Sequence, residues 1–169
     1  MKTNIVLVGL MGAGKTRTAR QLAKILHKKC VSTDAEIEQR EGRSIADIFR
    51  DSGEEYFRKL EKETVRQIAL EDDLIVDCGG GIVLDPDNIL QLKKKGIVFY
   101  LYASPDVIHR RTRRHTHRPL LNVPDPLAKI KTLLEERQAH YEQADHTIDT
   151  DRQSVEQTVE EVLKKLPHD

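Results

Sequence analysis

Gly9, Gly14, Lys15 and Thr16 stand in the stretch GLMGAGKT at the spacing G-x-x-x-x-G-K-[ST]. Each residue type has its own task against a polyanion. Glycines let the backbone wrap with its N–H groups pointing inward and no Cβ in the way. A lysine at this spacing reaches β- and γ-phosphates, and a threonine hydroxyl can hold Mg²⁺. The apolar run NIVLVGL comes before the phosphate loop and RTARQLAKIL after it. The loop therefore opens a helix whose positive end turns toward the same point. The pattern predicts a site for ATP or a similar triphosphate, bound by Gly12, Ala13, Gly14, Lys15, Thr16 and Arg17. A dinucleotide loop of the form G-x-G-x-x-G fits less well, because the order here is G-x-x-G-x-G followed by Lys-Thr.

A small-molecule kinase also needs an acceptor site, a base for the acceptor hydroxyl and positive charge for the transferring group. Four stretches offer these. In STDAEIE, Asp34 follows an expected strand and reads either as a group serving the acceptor or as a cap of the next helix. In FRKLE, Arg58 and Glu61 lie one helical turn apart, as a binding pair or as a surface ion pair. Gly79, Gly80 and Gly81 end a strand in CGGGIV. Three glycines there are costly in entropy and suggest a backbone surface on which a ligand lies flat. In LIVDCGGG, Asp77 closes that same strand. Apolar residues followed by a strand-end Asp resemble the arrangement that serves Mg²⁺ in other P-loop proteins. The competing reading is that Asp77 caps the glycine turn.

The set GLMGAGKT, TDAEIE, FRKLE, GGG, RPLL and ERQAHY resembles the shikimate kinase family, from about residue 4 to 150 and in family order. The resemblance implies ATP-dependent, Mg²⁺-requiring phosphorylation of the 3-hydroxyl of shikimate in aromatic amino-acid biosynthesis. It assigns Asp34 to the acceptor hydroxyl, Arg58 and Arg137 to the shikimate carboxylate, and Glu61 to orienting Arg58. It also sets Gly79, Gly80 and Gly81 under the ring, stacks Arg111 on adenine, and brings Arg118 from a closing lid to phosphate and acceptor. With Lys15, Asp34 and Arg118 form the expected catalytic group. One departure stands out. The family usually carries D-x-D after its second strand, the first Asp holding Mg²⁺ through water, whereas here Ser32 occupies that position. Strand three is expected beside strand one, so Asp77 would project near Thr16 and supply the missing carboxylate. A P-loop kinase for another hydroxylated acceptor, such as gluconate or a nucleoside monophosphate, is the alternative. A catalytically weak nucleotide- or RNA-binding relative is a further one.

Positioning these residues requires strands of apolar runs separated by amphipathic helices, hence a parallel sheet with right-handed crossovers. The expected strands are NIVLVGL, KKCVST, DLIVDCGGG, GIVFYLYA and HTIDT. Helices follow as DAEIEQREG, SIADIFRDSG with Ser44 as N-cap, and EEYFRKLEKETVRQIAL. Asp85-Pro86, Ser104-Pro105 and Asp125-Pro126 each open another. The fold class is α/β, a three-layer P-loop kinase domain spanning 1–169 with about five strands. Acceptor-binding helices are expected over about 34–70, and a mobile lid over about 113–124.

Composition narrows the partners. The chain has 169 residues, 28 basic and 28 acidic, with 38% apolar content. Zero net charge argues against a general nucleic-acid or membrane-surface binder. The run HRRTRRHTHRP carries no aromatic residue to stack bases, and His109, His115 and His117 lack a carboxylate or cysteine at metal-ligand spacing. Cys30 and Cys78 lack such spacing too and suggest free thiols in a reducing cytoplasm. No secretion signal is expected, and no run reaches the roughly 18 apolar residues of a membrane span. A monomer with small-molecule partners is the expectation.

Overall fold

The computed structural model describes residues 2–115 and 118–167. Five strands, β1 (Asn4–Val8), β2 (Lys29–Ser32), β3 (Leu74–Asp77), β4 (Gly96–Tyr102) and β5 (His146–Asp149), form one sheet in the order β2-β3-β1-β4-β5. All four pairings are parallel. Alternate residues of each strand point to opposite faces, and both faces are covered. Val6, Val8, Val76, Val98 and Tyr100 pack on one side against α3 (Ile45–Ile68), α4 (Pro86–Lys95), α5 (Pro105–Thr112) and α6 (Pro126–Tyr141). Ile5, Leu7, Ile75, Phe99 and Leu101 pack on the other against α1 (Lys15–Leu26) and α7 (Val155–Lys164). This is the expected three-layer arrangement, and β1 sits between β3 and β4 where the strand order reverses. Ligands of open parallel sheets bind outside the carboxyl ends of strands at such a point.

Between β2 and β3 lies α2 (Thr33–Glu41), followed by α3. The two helices expected over 44–70 are both present as two segments of α3, parted at Gly53, which leaves helical geometry at φ 83° and ψ 171°. Ile37, Ile48, Phe57 and Leu60 bury themselves as a small core separate from the two main ones. Helix starts follow the expected chemistry. Ser44 accepts from the Asp47 amide, Asp85 from Asp87 and Asp125 from Ala128. Ser104 differs: its side chain makes no capping bond, and its amide donates to Asp151 at 2.7 Å. Within the expected lid, Pro119–Leu121 form a 3₁₀ turn, while Thr116 and His117 lie outside the described residues.

Candidate active site

The phosphate loop joins the end of β1 to α1, whose N-cap is Gly14. Lys15 lies folded into the loop, with Nζ donating to the carbonyl oxygens of Gly9 at 2.8 Å and Leu10 at 3.1 Å. Burial pulls its pKa below the ordinary lysine value, and the nearby Asp77 acts in the opposite direction. Thr16 Oγ1 donates to Asp77 Oδ2 at 2.6 Å. Asp77 therefore does not cap the glycine turn. It faces the phosphate loop, because β3 pairs directly with β1 and ends level with it.

Lys15, Thr16, Ser32, Asp34, Asp77 and Arg118 line one cleft, together with Gly79 and Gly80. Asp34 is not the cap of α2. Ser32 holds that position, its oxygen accepting from the Ala35 amide at 3.2 Å. Asp34 is left to turn inward, where Oδ1 is buried without a hydrogen-bond partner. Burial lifts its pKa above the usual carboxylate value, with Lys15 opposing and Asp77 reinforcing the rise. A carboxylate in this state is a better proton acceptor than an exposed one.

The triple glycine joins this cleft to a cationic neighbour. An added Cβ at Gly79 would lie 2.5 Å from Asp34 Oδ1, and one at Gly81 would lie 2.5 Å from the Arg58 guanidinium nitrogens. Two of these glycines thus make room for the protein's own side chains. Gly80 is held differently, its carbonyl accepting from the Tyr141 hydroxyl at 2.6 Å, and a Cβ there would come within 3.6 Å of Arg137. Arg58 donates to Glu61 at 2.5 Å and to Glu54 at 3.2 Å. Glu61 is 1% exposed, and burial raises its pKa to about 7 against the pull of Arg58. Arg137 is also buried, and no ion pair among the described residues includes it. The Nε of Arg58 and Oε2 of Glu61 are buried and unpartnered as well.

Two expected nucleotide residues stand apart from the cleft. Arg111 donates to the Gly12 carbonyl at 3.2 Å and to Thr150 Oγ1 and O at 3.1 and 2.9 Å, behind the loop. Arg17 is exposed and lines a separate groove with Arg20 and Lys24. Sequence reasoning missed Glu54, Thr33 and Tyr141. Glu54 was findable, being four residues before Arg58 on a helix. Thr33 accepts from the Gly79 amide at 2.9 Å. Tyr141 stacks on Tyr100 at 4.9 Å between ring centres. Neither of the last two carries a local signal, since each acts on a backbone group far away in the chain.

The oxygen-only donor set of Thr16 and Asp77 suits a hard cation such as Mg²⁺. Among the described residues no group of three or more potential metal ligands occurs. Mg²⁺ is commonly held that way, by one or two carboxylates with phosphates and water completing its shell.

The comparisons with known proteins agree with this geometry. The family model described as shikimate kinase matches residues 11–167. A shikimate kinase of Caldanaerobacter subterraneus subsp. tengcongensis is 45% identical over 161 residues, 95% of this chain and 94% of that one. A shikimate kinase of Thermus thermophilus is 44% identical, covering 97% of this chain and 90% of the other. The structure of shikimate kinase from Acinetobacter baumannii in complex with shikimate superposes with a TM-score of 0.92 at 36% identity, over 99% of this chain and 97% of that chain. In sequence as in fold, this chain belongs to the shikimate kinase family.

Proposed function

We propose that this chain transfers the γ-phosphoryl group of ATP to the 3-hydroxyl of shikimate, giving shikimate 3-phosphate and ADP on the route to aromatic amino acids. One observation carries the reading. A half-buried Asp34, whose Oδ1 is buried and unpartnered, shares a cleft with Lys15 and Thr16, and the glycine turn at its edge leads to two partly or fully buried guanidiniums. Arg58 and Arg137 hold the acceptor carboxylate, because a planar guanidinium suits bidentate pairing. Glu61 and Glu54 fix Arg58 in orientation. Gly80 and its neighbours lie against the ring.

On the nucleotide side, the backbone of Gly12, Ala13 and Gly14 receives the phosphates. Lys15 exchanges its two carbonyl partners for phosphate oxygens, while Arg17 and Arg111 serve the remainder of the nucleotide. The acceptor oxygen bonds to the γ-phosphorus as the bond to the β,γ-bridging oxygen breaks, and the hydroxyl proton passes to Asp34. Arg118, on the lid, neutralises charge on the transferring group, and lid closure keeps water from competing as acceptor. Mg²⁺, when bound beside Thr16, supplies positive charge to the phosphate oxygens. All these side chains belong to one chain, which supports a monomer, and two free thiols support a reducing cytoplasm.

The test is ADP release in a coupled assay with shikimate, gluconate, a nucleoside monophosphate or no acceptor. Release that requires shikimate is expected. ADP release with another acceptor only, or ATP binding without turnover on any of them, would overturn the reading.

A further inference from the structure

Asp77 is a buried carboxylate that the phosphoryl-transfer steps above do not use, and the nearby Lys15 is turned to the loop carbonyls instead. No ion pair among the described residues includes Asp77 or Asp34, although both face the same cleft. Two carboxylates in one cleft repel unless positive charge comes between them and the phosphates. Asp77 takes the Thr16 hydroxyl hydrogen on Oδ2 at 2.6 Å. That bond commits the hydrogen and leaves the lone pairs of Thr16 Oγ1 for a cation. The second oxygen of Asp77 accepts no hydrogen bond from the described residues. Ser32 is its registered neighbour on β2, about 4.8 Å away across a parallel pair. Ser32 brings no charge, and its oxygen is occupied with the Ala35 amide.

We propose that Asp77, at the end of β3, is the carboxylate that serves the divalent cation in this chain: it orients the Thr16 hydroxyl and receives a metal-bound water on its free oxygen. The Ser32 position is the second strand end from which a carboxylate can reach the same cation. This inference rests on the kinase reading, but its test does not need turnover.

The experiment titrates Mn²⁺ into protein saturated with ADP, reading free Mn²⁺ by electron paramagnetic resonance. Metal-free ADP affinity and melting temperature are measured alongside. Partners of this kind change metal affinity by about 10- to 100-fold. Asp77→Asn should weaken Mn²⁺ binding by at least about tenfold, with metal-free ADP affinity held within about twofold of wild type. Ser32→Ala should leave Mn²⁺ affinity unchanged, and Asp77→Asn combined with Ser32→Asp should recover part of the loss. Should Asp77→Asn fail to fold, Asp77→Ser carries the same expectations. Unchanged Mn²⁺ affinity in the Asp77 variant overturns the proposal. So does an equal loss of metal-free ADP binding, which would make Asp77 a brace of the loop, or a double variant no better than Asp77→Asn. A protein that binds Mn²⁺ and ADP as expected yet gives no shikimate-dependent ADP release would overturn the kinase reading and leave the metal assignment standing.

Discussion

Arg58 and Arg137 differ in what balances them. Arg58 is held by two carboxylates, whereas Arg137 is buried with none among the described ion pairs. Losing a charged hydrogen-bond partner costs about 1.5–3 kcal/mol. Arg58→Ala and Arg137→Ala should each weaken shikimate binding by about 10- to 150-fold and leave ATP binding nearly intact, as isothermal titration with each ligand would read. Loss of ATP affinity with shikimate spared would remove that arginine from the acceptor site. Glu61 adds a pH dependence. Its folded-state pKa is raised from 4.5 to about 7, chiefly by burial, which outweighs the ion pair with Arg58. The folded chain then binds this proton more tightly than the unfolded chain. Its contribution to stability is full below pH 4.5 and is lost as pH rises through about 7. Urea midpoints of wild type should fall between pH 5 and 7.5 by more than those of Glu61→Gln. Parallel pH profiles for the two proteins would show that Glu61 titrates normally.

Among the elements, the glycine turn after β3 does the most to couple the two halves of the site. Gly79 gives space to Asp34, on α2, and Gly81 gives space to Arg58, on α3. In both cases an added methyl would meet the end of a side chain, not backbone. Gly81→Ala should therefore raise the shikimate KM by displacing Arg58, with ATP KM and melting temperature little changed. Gly79→Ala should act instead on kcat, because it shifts the proposed base. A misplacement of about 1 Å costs on the order of 100-fold in rate. Steady-state kinetics of the two variants separate the roles, and identical effects on both parameters would argue against them. The break at Gly53 belongs to this scale too: it lets the two segments of α3 take different directions, so that the element meets both α2 and α4.

For the molecule as a whole, the separate small core that α2 shares with Ile48, Phe57 and Leu60 of α3 has a mechanical consequence. An element with its own core can shift as a unit relative to the sheet, as shear and hinge closures require. The acceptor site joins that unit to the glycine turn, and Arg118 enters from the opposite lid. Hydrogen exchange should thus slow in 34–60 with shikimate, and in 113–124 only when nucleotide and acceptor are both bound. Arg118→Ala should lower kcat more than it weakens nucleotide binding, since its charge matters most in the transition state. Equal protection with and without ligands would count against both closures.

The sequence by itself determined the strands, most of the helix starts and the chemistry of the phosphate loop. These rest on local rules: apolar periodicity, capping residues and the conformational freedom of glycine. The partners of Arg58 were half legible, because Glu61 and Glu54 lie within one turn of the same helix. Tertiary structure alone decided the rest. It made Ser32, not Asp34, the helix cap, and so left Asp34 for the cleft. It turned the glycines into space for Asp34 and Arg58, and joined Tyr141 to the Gly80 carbonyl across 61 residues of chain. Thr16 and Asp77 are likewise 61 residues apart in the chain, and only the expected adjacency of strands three and one linked them in advance. Such pairs have no spacing to read, because their separation is set by which strands lie side by side, and that order depends on how all the helices cover the sheet at once.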